Sequence, residues 1–395
     1  MLKKVDYLII GNGIAGLSAA KEIRKNDNNG SIIMVSNEPY LTYYRIKLTE
    51  YMSKDFNNED LLVNNENWYE ENQIETILSK IVEHIDTDNN KVILDDGNEI
   101  GYKKLLLAMG SRPFIPPIAG KYKKGVFALR NLNDLRYIQN YFSNCSIVTV
   151  IGGGLLGLEA AWSIRKLNKT VNIIQHSPFL LSRQLDEETS RKVEGKLIEK
   201  GFNIYLDSSA EEILGETKVS GIKLNNRKEI STDAVLVSAG IRSNLDLIRD
   251  TKIEYDRGIK VNEYLNTNIE NIFAAGDVAE VEGSVLGLWT ASNDQGKIAG
   301  GNMTGEHNSY TNPRPFTTLR LGDISVFSAG DVNDFDRVYE YKEEEKEIHH
   351  KLFTKDGKIT GVILFGDISP MVKLKKAVID NINVNDYLKD GLAFK

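Results

Sequence analysis

Two glycine-rich turns carry the chemistry in this sequence. Residues 6–20 read DYLIIGNGIAGLSAA and residues 148–161 read VTVIGGGLLGLEAA. Each sets Gly-x-Gly-x-x-Gly between an apolar run and a stretch of small residues: Gly11, Gly13 and Gly16 first, then Gly152, Gly154 and Gly157, 141 residues later. In such a turn the first glycine permits a tight strand-to-helix reversal, the second lets backbone approach a pyrophosphate, and the third lets helix and strand pack closely. The helix that follows offers unpaired N–H groups and partial positive charge to the phosphates. The pattern predicts two dinucleotide sites.

The flanking elements must hold these turns. Around the first, Val5–Ile10 reads as a strand, LSAAKEIRKN as a helix and SIIMVS as a second strand leading to Glu38. Glu38 lies 22 residues past Gly16, where a carboxylate can accept hydrogen bonds from both ribose hydroxyls. Around the second turn the helix is LGLEAAWSIRKL and the next strand TVNIIQ, which aligns Gln175, 18 residues past Gly157, with Glu38. A glutamine bonds a ribose hydroxyl without repelling a 2′-phosphate, so NADH is favoured and NADPH remains possible. His176 and Arg183 follow; His176 reads either as a nucleotide contact or as a surface histidine after a strand.

A chain of 395 residues exceeds one ordinary core and predicts two or three domains. The net charge of −7 argues against a general nucleic-acid or anionic-membrane binder. No apolar run reaches the ~20 residues that span a bilayer. The N-terminal MLKKVDYLIIGNG runs into a glycine turn rather than a cleavage site, so it does not read as a signal peptide. The one cysteine, Cys145, excludes an internal disulfide and fits a reducing cytoplasm.

Further stretches carry a resemblance. LLLAMGSRP (105–113), AVLVSAGIRSN (234–244) and NTNIENIFAAGDVAE (266–280), with the two turns, resemble the FAD- and NAD(P)H-dependent pyridine nucleotide oxidoreductases. PYLTYYRIKLTEYM (39–52), ENWYEENQIETI (66–77), SRQLDEE (182–188), RLGDISVFSAGDV (320–332) and GDISPMVKLKKAV (366–378) are similar to the NADH:rubredoxin oxidoreductases within that family. The resemblance implies FAD on the first turn and a visiting NADH on the second. It implies FAD contacts from Ile14, Ala15, Val82, Ala108, Gly110, Gly276 and Asp277, the aspartate meeting the ribitol chain, and nicotinamide-nucleotide contacts from Leu155 and Gly240. Arg45 and Lys47 stand where relatives pass a basic residue under the flavin, and Lys47 with Glu159 is the implied catalytic pair. Glu159 reads either as a nicotinamide contact or as an acid favoured by the helix dipole. Arg112 and Arg130 read as FAD contacts or surface ion-pair partners, and Trp289 as a ring beside the flavin or a buried aromatic.

Missing residues narrow the chemistry. Disulfide reductases of this family carry a redox cysteine pair, and its oxidases and peroxidases carry one cysteine at about Leu48–Thr49; neither is present. Cys145 reads as a small apolar filler. Electrons are therefore expected to leave the flavin directly for a one-electron carrier, a rubredoxin or a similar small iron protein, with the cofactor performing the chemistry. Glu50 replaces a lysine of related ferredoxin reductases that pairs with the acid matching Glu159. No metal site is expected, and the His349-His350 pair reads as part of a solvated strand.

The expected fold class is α/β: two Rossmann-like three-layer nucleotide-binding domains, one inserted in the other, plus a small C-terminal α+β domain. The expected boundaries are 1–110 and 245–310 for FAD, 111–244 for NAD(P)H, and 311–395 for the third domain. There FTTLRL, ISVFSA, RVYEYK, EIHHKLFT and ITGVILFG read as strands and KLKKAVIDN as a helix. A cationic docking patch for an acidic carrier would draw on Arg45, Lys47, Lys373, Lys375 and Lys376, the last three reading equally as a solvated helix face. Monomer and dimer both stay open. An NADH oxidase, the flavoprotein part of a nitrite-reducing system, and a nucleotide-bound redox sensor are the alternative functions.

Overall fold

The apolar run before Gly11 forms a strand, Lys3–Ile10, whose last residues are buried on both faces. It sits mid-sheet, as a near-continuous hydrophobic run should. The order is Ile74–Ile77, Ile32–Val35, Lys3–Ile10, Glu99–Leu107, Lys91–Leu94, Val82–Asp86, and Ile272–Ala274 also pairs with Glu99–Leu107. The structure, a computed structural model, describes residues 3–389; residues 1–2 and 390–395 of the expected outer domains lie outside the described residues.

The helices are α1 (Ile14–Asn26), α2 (Leu48–Tyr51), α3 (Glu66–Glu71), α4 (Leu132–Phe142), α5 (Leu155–Lys166), α6 (Glu187–Glu199), α7 (Trp289–Met303), α8 (Met371–Ile379) and α9 (Val384–Lys389). Among the described residues no helix is long and apolar enough to cross a membrane. The chain divides into two compact units. The first combines the residues up to Lys47 with Asp55–Pro113 and Gly240–Pro313; the second combines Leu48–Lys54, Phe114–Ala239 and the residues from Arg314 onward.

In the first unit α1 and α7 cross at backbone contact. A Cβ on Gly296 would lie 2.2 Å from the Ala15 carbonyl oxygen, and one on Gly300 would lie 2.5 Å from that of Ala19. Glycines one helical turn apart on α7 are what allow the approach.

The second unit holds a parallel sheet in the order Phe202–Tyr205, Thr170–Ile174, Ile147–Ile151, Ala234–Val237, Val126–Phe127. Its short helix α2 belongs here although it follows the first nucleotide turn in sequence: Gln139 Nε2 of α4 donates to the carbonyls of Tyr51 and Lys54 at 2.9 and 2.8 Å. The C-terminal sheet is antiparallel and five-stranded, ordered Phe316–Leu321, Ile324–Gly330, Lys358–Phe365, Ile348–Lys355, Arg337–Glu343. Helix α8 covers one face, with Leu374, Ala377 and Val378 packed into the cluster of Phe327, Leu352 and Leu364.

Two expectations change here. His349 and His350 are not solvated: they are 2% and 5% exposed, because α8 covers one face of their strand and the first turn of α6 meets the other. Lys375 is not on the open face of α8; its ammonium lies 3.3 Å from the Phe316 ring centroid, while Val372, Lys373 and Lys376 are exposed.

Candidate functional site

The two turns are built alike, and their glycines divide into the same roles. A Cβ on Gly11 would lie 2.1 Å from the Ala108 carbonyl oxygen, and one on Gly152 would lie 2.2 Å from that of Ser238. Both have positive φ, +114° and +120°. A Cβ on Gly16 or Gly157 would strike the carbonyl oxygen of Gly11 or Gly152 at 2.1 or 2.0 Å. Around Gly13 and Gly154 a Cβ meets nothing within 4 Å. The outer glycines are thus demanded by the fold, and the middle one faces open space at a helix start. Gly13 and Gly154 are the N-caps of α1 and α5, and neither helix has a side-chain cap or an acid in its first turn. Helices α4 and α6, by contrast, are capped by Asn131 and Asp186. Open N–H groups, partial positive charge and a bare backbone fit a pyrophosphate in both places. Ile14 and Ala15, and Leu155, open the two helices.

A buried polar chain backs the first turn. Tyr69 donates to Thr42 Oγ1 at 3.0 Å, Thr42 donates to Asn12 Oδ1, and Asn12 Nδ2 donates to the Tyr40 carbonyl at 3.2 Å. Beyond the following strand, Glu38 Oε1 accepts from Arg45 Nη2 at 2.7 Å and Oε2 accepts from the Tyr43 hydroxyl at 2.7 Å. Each oxygen keeps a further lone pair for a ribose hydroxyl. Burial pulls the Arg45 pKa down, the neighbouring Tyr43 hydroxyl and Glu38 carboxylate outweigh it, and the guanidinium stays above its usual range.

Asp277 follows Gly276, whose φ is +82°. Its carboxylate accepts from Ser111 Oγ at 2.8 Å and Ser292 Oγ at 3.3 Å, and its carbonyl from Ser243 Oγ at 2.8 Å. One turn before Ser292, Trp289 stacks on Tyr44 with centroids 6.0 Å apart, and Lys47 Nζ lies 4.6 Å above the other ring of that pair, Tyr44. Trp289 Nε1 is buried with no acceptor among the described residues. An orphaned buried donor costs free energy unless a bound group supplies the acceptor. This side of the first unit therefore fits a cofactor carrying hydroxyls and polar ring atoms.

Other expected contacts sort differently. Val82 starts a strand and its side chain lies in the core, as Ala108 lies behind Gly11. Gly110, with φ +64°, accepts from Asn244 N–H at 3.0 Å. Arg112 is half-exposed and paired with Asp246 at 3.0 Å. Arg130 precedes the cap of α4, and its N–H donates to Asp134 Oδ2 at 2.8 Å. Gly240 has φ +101° and open space around it.

In the second unit Glu159 lies in the first turns of α5, and Thr49 Oγ1 donates to its Oε2 at 3.2 Å. Burial pushes the Glu159 carboxyl above its usual range, the Thr49 hydrogen bond opposes this, and nearby Glu50 adds to it. Glu50 itself pairs with Lys54. Thr49 is the partner that sequence reasoning missed, since α2 reads there as part of the FAD segment.

The backbone register of the second cradle differs from the expected match. Gln175 does not match Glu38. Gly11 N–H donates to Val35 and Gly152 N–H to Ile174, each at 2.8 Å, so Val35 corresponds to Ile174 and Ser36 to Gln175. Two residues on, the Glu38 carbonyl accepts from Ser79 N–H and the Ser177 carbonyl accepts from Asp207 N–H, at 3.2 and 3.1 Å. Ser177 therefore stands where Glu38 stands. Gln175 is 6% exposed and its Oε1 accepts from Gly153 N–H at 2.8 Å, bracing the turn. His176 and Arg183 are exposed, and His176 Nε2 lies 3.3 Å from Ser177 Oγ. The difference is one of counting along equivalent runs: Glu38 lies two residues past SIIMVS, whereas Gln175 is the last residue of TVNIIQ.

Cys145, the chain's one thiol, is buried, its Sγ donates to the Tyr141 carbonyl at 3.4 Å, and burial pushes its pKa up. Such a thiol is inert rather than a redox centre.

Residues 5–296 match the family model described as pyridine nucleotide-disulphide oxidoreductase, and residues 315–382 match the rubredoxin NAD+ reductase C-terminal domain. The chain is 36% identical over 403 residues to an NADH-rubredoxin oxidoreductase of Clostridium acetobutylicum, covering 99% of this chain and 100% of that one. It is 35% identical over 390 residues to a nitrite reductase [NAD(P)H] of Bacillus subtilis, covering 98% of this chain and 48% of the relative. It thus spans about half the length of that protein, as it does of the assimilatory nitrate reductase electron transfer subunit of the same organism, at 50%. The crystal structure of the Clostridium acetobutylicum NADH:rubredoxin oxidoreductase superimposes with a TM-score of 0.84 and 33% identity, covering 99% of this chain and 100% of that one. With two matching cradles and a family model running through both, the chain belongs to the pyridine nucleotide-disulphide oxidoreductase family.

Proposed function

We propose that the chain is an FAD-dependent oxidoreductase that takes electrons from NADH and passes them to a small one-electron iron carrier of the rubredoxin type. The observation that carries this reading is the duplicated cradle in a chain whose single thiol is buried and inert. Bound FAD accepts a hydride as an electron pair and releases electrons singly. The residues do the rest. Gly13 and the open end of α1 hold the pyrophosphate of the resident cofactor, while Gly154 and α5 hold that of the visiting one. Glu38 receives ribose hydroxyls, braced by Arg45 and Tyr43. Asp277, held by Ser111 and Ser292, receives hydroxyls of the ribitol chain. Lys47, over the Tyr44 ring, supplies positive charge that stabilises the negative charge arriving with electrons. Glu159 orients the nicotinamide nucleotide, with Thr49 fixing its carboxylate. The one-cysteine composition suits a reducing cytoplasm.

The exposed stretch of α8, with Val372, Lys373 and Lys376, is the proposed landing surface for an acidic carrier. The match at 315–382 to a rubredoxin NAD+ reductase C-terminal domain supports this choice. A second reading has its own support: two Bacillus subtilis relatives of nitrate and nitrite reduction match nearly all of this chain with about half of their own length. In that reading the same electrons go to an attached or partner reductase.

Purified protein should be yellow, hold one FAD per chain, and bleach when NADH is added anaerobically. A folded, colourless protein that takes up no added FAD would overturn the reading.

A further inference from the structure

One side-chain cluster in the second unit has no part in dinucleotide binding. It lies where the first turn of α6 meets the edge of the C-terminal sheet. His349 and Lys351 are two apart on one strand and so share a face; Glu340 and Lys342 share the same face of the neighbouring strand. Lys342 stands opposite His349, and Glu340 opposite Lys351. Asp186, the N-cap of α6, and Glu188, in its first turn, come down onto this face.

The ammonium of Lys351 is buried and fully engaged, 2.5 Å from Asp186 Oδ2, 2.6 Å from Glu188 Oε2 and 3.5 Å from Glu340 Oε1. The two remaining glutamate oxygens are different. Glu188 Oε1 and Glu340 Oε2 both receive Lys342 Nζ, at 3.1 and 2.9 Å, and that side chain is 38% exposed, so its ammonium borders water. They also face the ring of His349, at 3.9 Å from Nδ1 and 3.8 Å from Nε2. His349 is 2% exposed, and neither ring nitrogen has a hydrogen-bond partner among the described residues. A buried imidazole with both nitrogens unmade is costly, and it faces the two oxygens that the partly exposed Lys342 ammonium bridges.

We propose that Glu188, Glu340 and His349 form a binding site for a divalent transition-metal ion, which enters by displacing the Lys342 ammonium. Donor atoms of the three residues lie within 4.8 Å of one another, close enough to contract onto one ion at the usual ~2.0–2.2 Å ligand distances. Charge supports the exchange. Three carboxylates, Asp186, Glu188 and Glu340, face two ammonium groups, so a dication in place of Lys342 brings the cluster to neutrality. One imidazole with two carboxylates selects Zn²⁺, Fe²⁺ or Mn²⁺ over Mg²⁺ or Ca²⁺. Burial and the Lys351 charge hold His349 below its ordinary pKa, leaving a lone pair available at neutral pH. Lys351 then acts as an outer partner that orients Glu188. The ion would tie α6 to the C-terminal sheet.

Titrate chelator-stripped, FAD-loaded protein with Zn²⁺ by calorimetry, and follow thermal unfolding in parallel. Saturable binding at one site per chain and a raised melting temperature are expected. His349→Leu should abolish that site, beyond the roughly 10- to 100-fold loss typical of an outer-shell change. Lys342→Ala should tighten it several-fold. Flavin retention and circular dichroism report whether His349→Leu folds; Glu340→Gln makes the same comparison if it does not. No Zn²⁺ uptake by either the wild type or Lys342→Ala, or uptake unchanged by loss of His349 or Glu340, would overturn the proposal.

Discussion

Ser177 occupies in the second cradle the backbone position that Glu38 occupies in the first, because the carbonyls of both accept matching hydrogen bonds from the next strand connection, at 3.1 and 3.2 Å. The residue matching Glu38 in the second cradle is therefore neutral, and it is the proposed reader of the ribose 2′ group. Introducing a carboxylate there, Ser177→Glu, should lower kcat/KM for NADPH roughly 10- to 100-fold relative to NADH, since like charges brought together cost several kcal/mol. Steady-state kinetics with both nucleotides check it.

Gln175 answers differently from Ser177. Its amide oxygen accepts from Gly153 N–H inside the fold. Gln175→Leu should cost about 1–3 kcal/mol of stability by leaving that donor unmade. It should leave the NADH-to-NADPH ratio of kcat/KM unchanged. Denaturant unfolding and the two kcat/KM values separate the effects.

The glycines of one turn should fail in distinct ways. Gly13→Val adds a side chain where nothing in the protein stands within 4 Å, so the variant should fold and lose FAD. Gly16→Val drives a side chain toward the Gly11 carbonyl, 2.1 Å from the ideal Cβ, so it should lose both FAD and thermal stability. Flavin content and melting temperature together distinguish them.

Much of this was legible in the sequence. Each cradle announces itself because three glycines at fixed spacing answer a local backbone demand. The C-terminal strands were legible because their apolar runs are bounded by turns such as KDGK. What stayed hidden depends on distant partners. The burial of His349 and His350 needs α8 and the first turn of α6, far apart in the chain. The need for glycine at 296 and 300 shows only once α7 is laid against Ala15 and Ala19 of α1. The Thr49–Glu159 contact joins positions 110 residues apart. Register, too, is set by hydrogen bonds between strands, and so Gln175 stood for Ser177.

The Lys351 cluster should show in acid. Burial raises the Glu188 pKa, the hydrogen bonds from Lys351 and Lys342 outweigh it, and the result is about 2. A carboxylate depressed on folding stabilises the native state above its unfolded pKa, and that stabilisation is lost as pH falls toward the folded value. With chelator present, melting temperature should therefore decline from about pH 4.5 to about pH 2. Lys351→Met should flatten that decline and cost roughly 1–3 kcal/mol at pH 7. This is less than a fully buried pair would cost, since Glu188 is 47% exposed.

The α8 surface predicts a salt-sensitive encounter. Lys373→Glu with Lys376→Glu should lower kcat/KM for rubredoxin several-fold at low salt, with the gap narrowing as screening grows. Flavin reduction by NADH should be unchanged, as stopped-flow measurement of the two half-reactions would reveal.

In the proposed reaction electrons pass from NADH through FAD directly to a one-electron carrier, with no sulfur stop. Anaerobic multiple-turnover oxidation of NADH, with and without a rubredoxin, by the wild type and Cys145→Ser tests it most directly. The account predicts rapid turnover only with the rubredoxin, at near-equal rates for both proteins. NADH oxidation that rubredoxin does not accelerate, or turnover lost in a Cys145→Ser protein that still holds FAD, would contradict it.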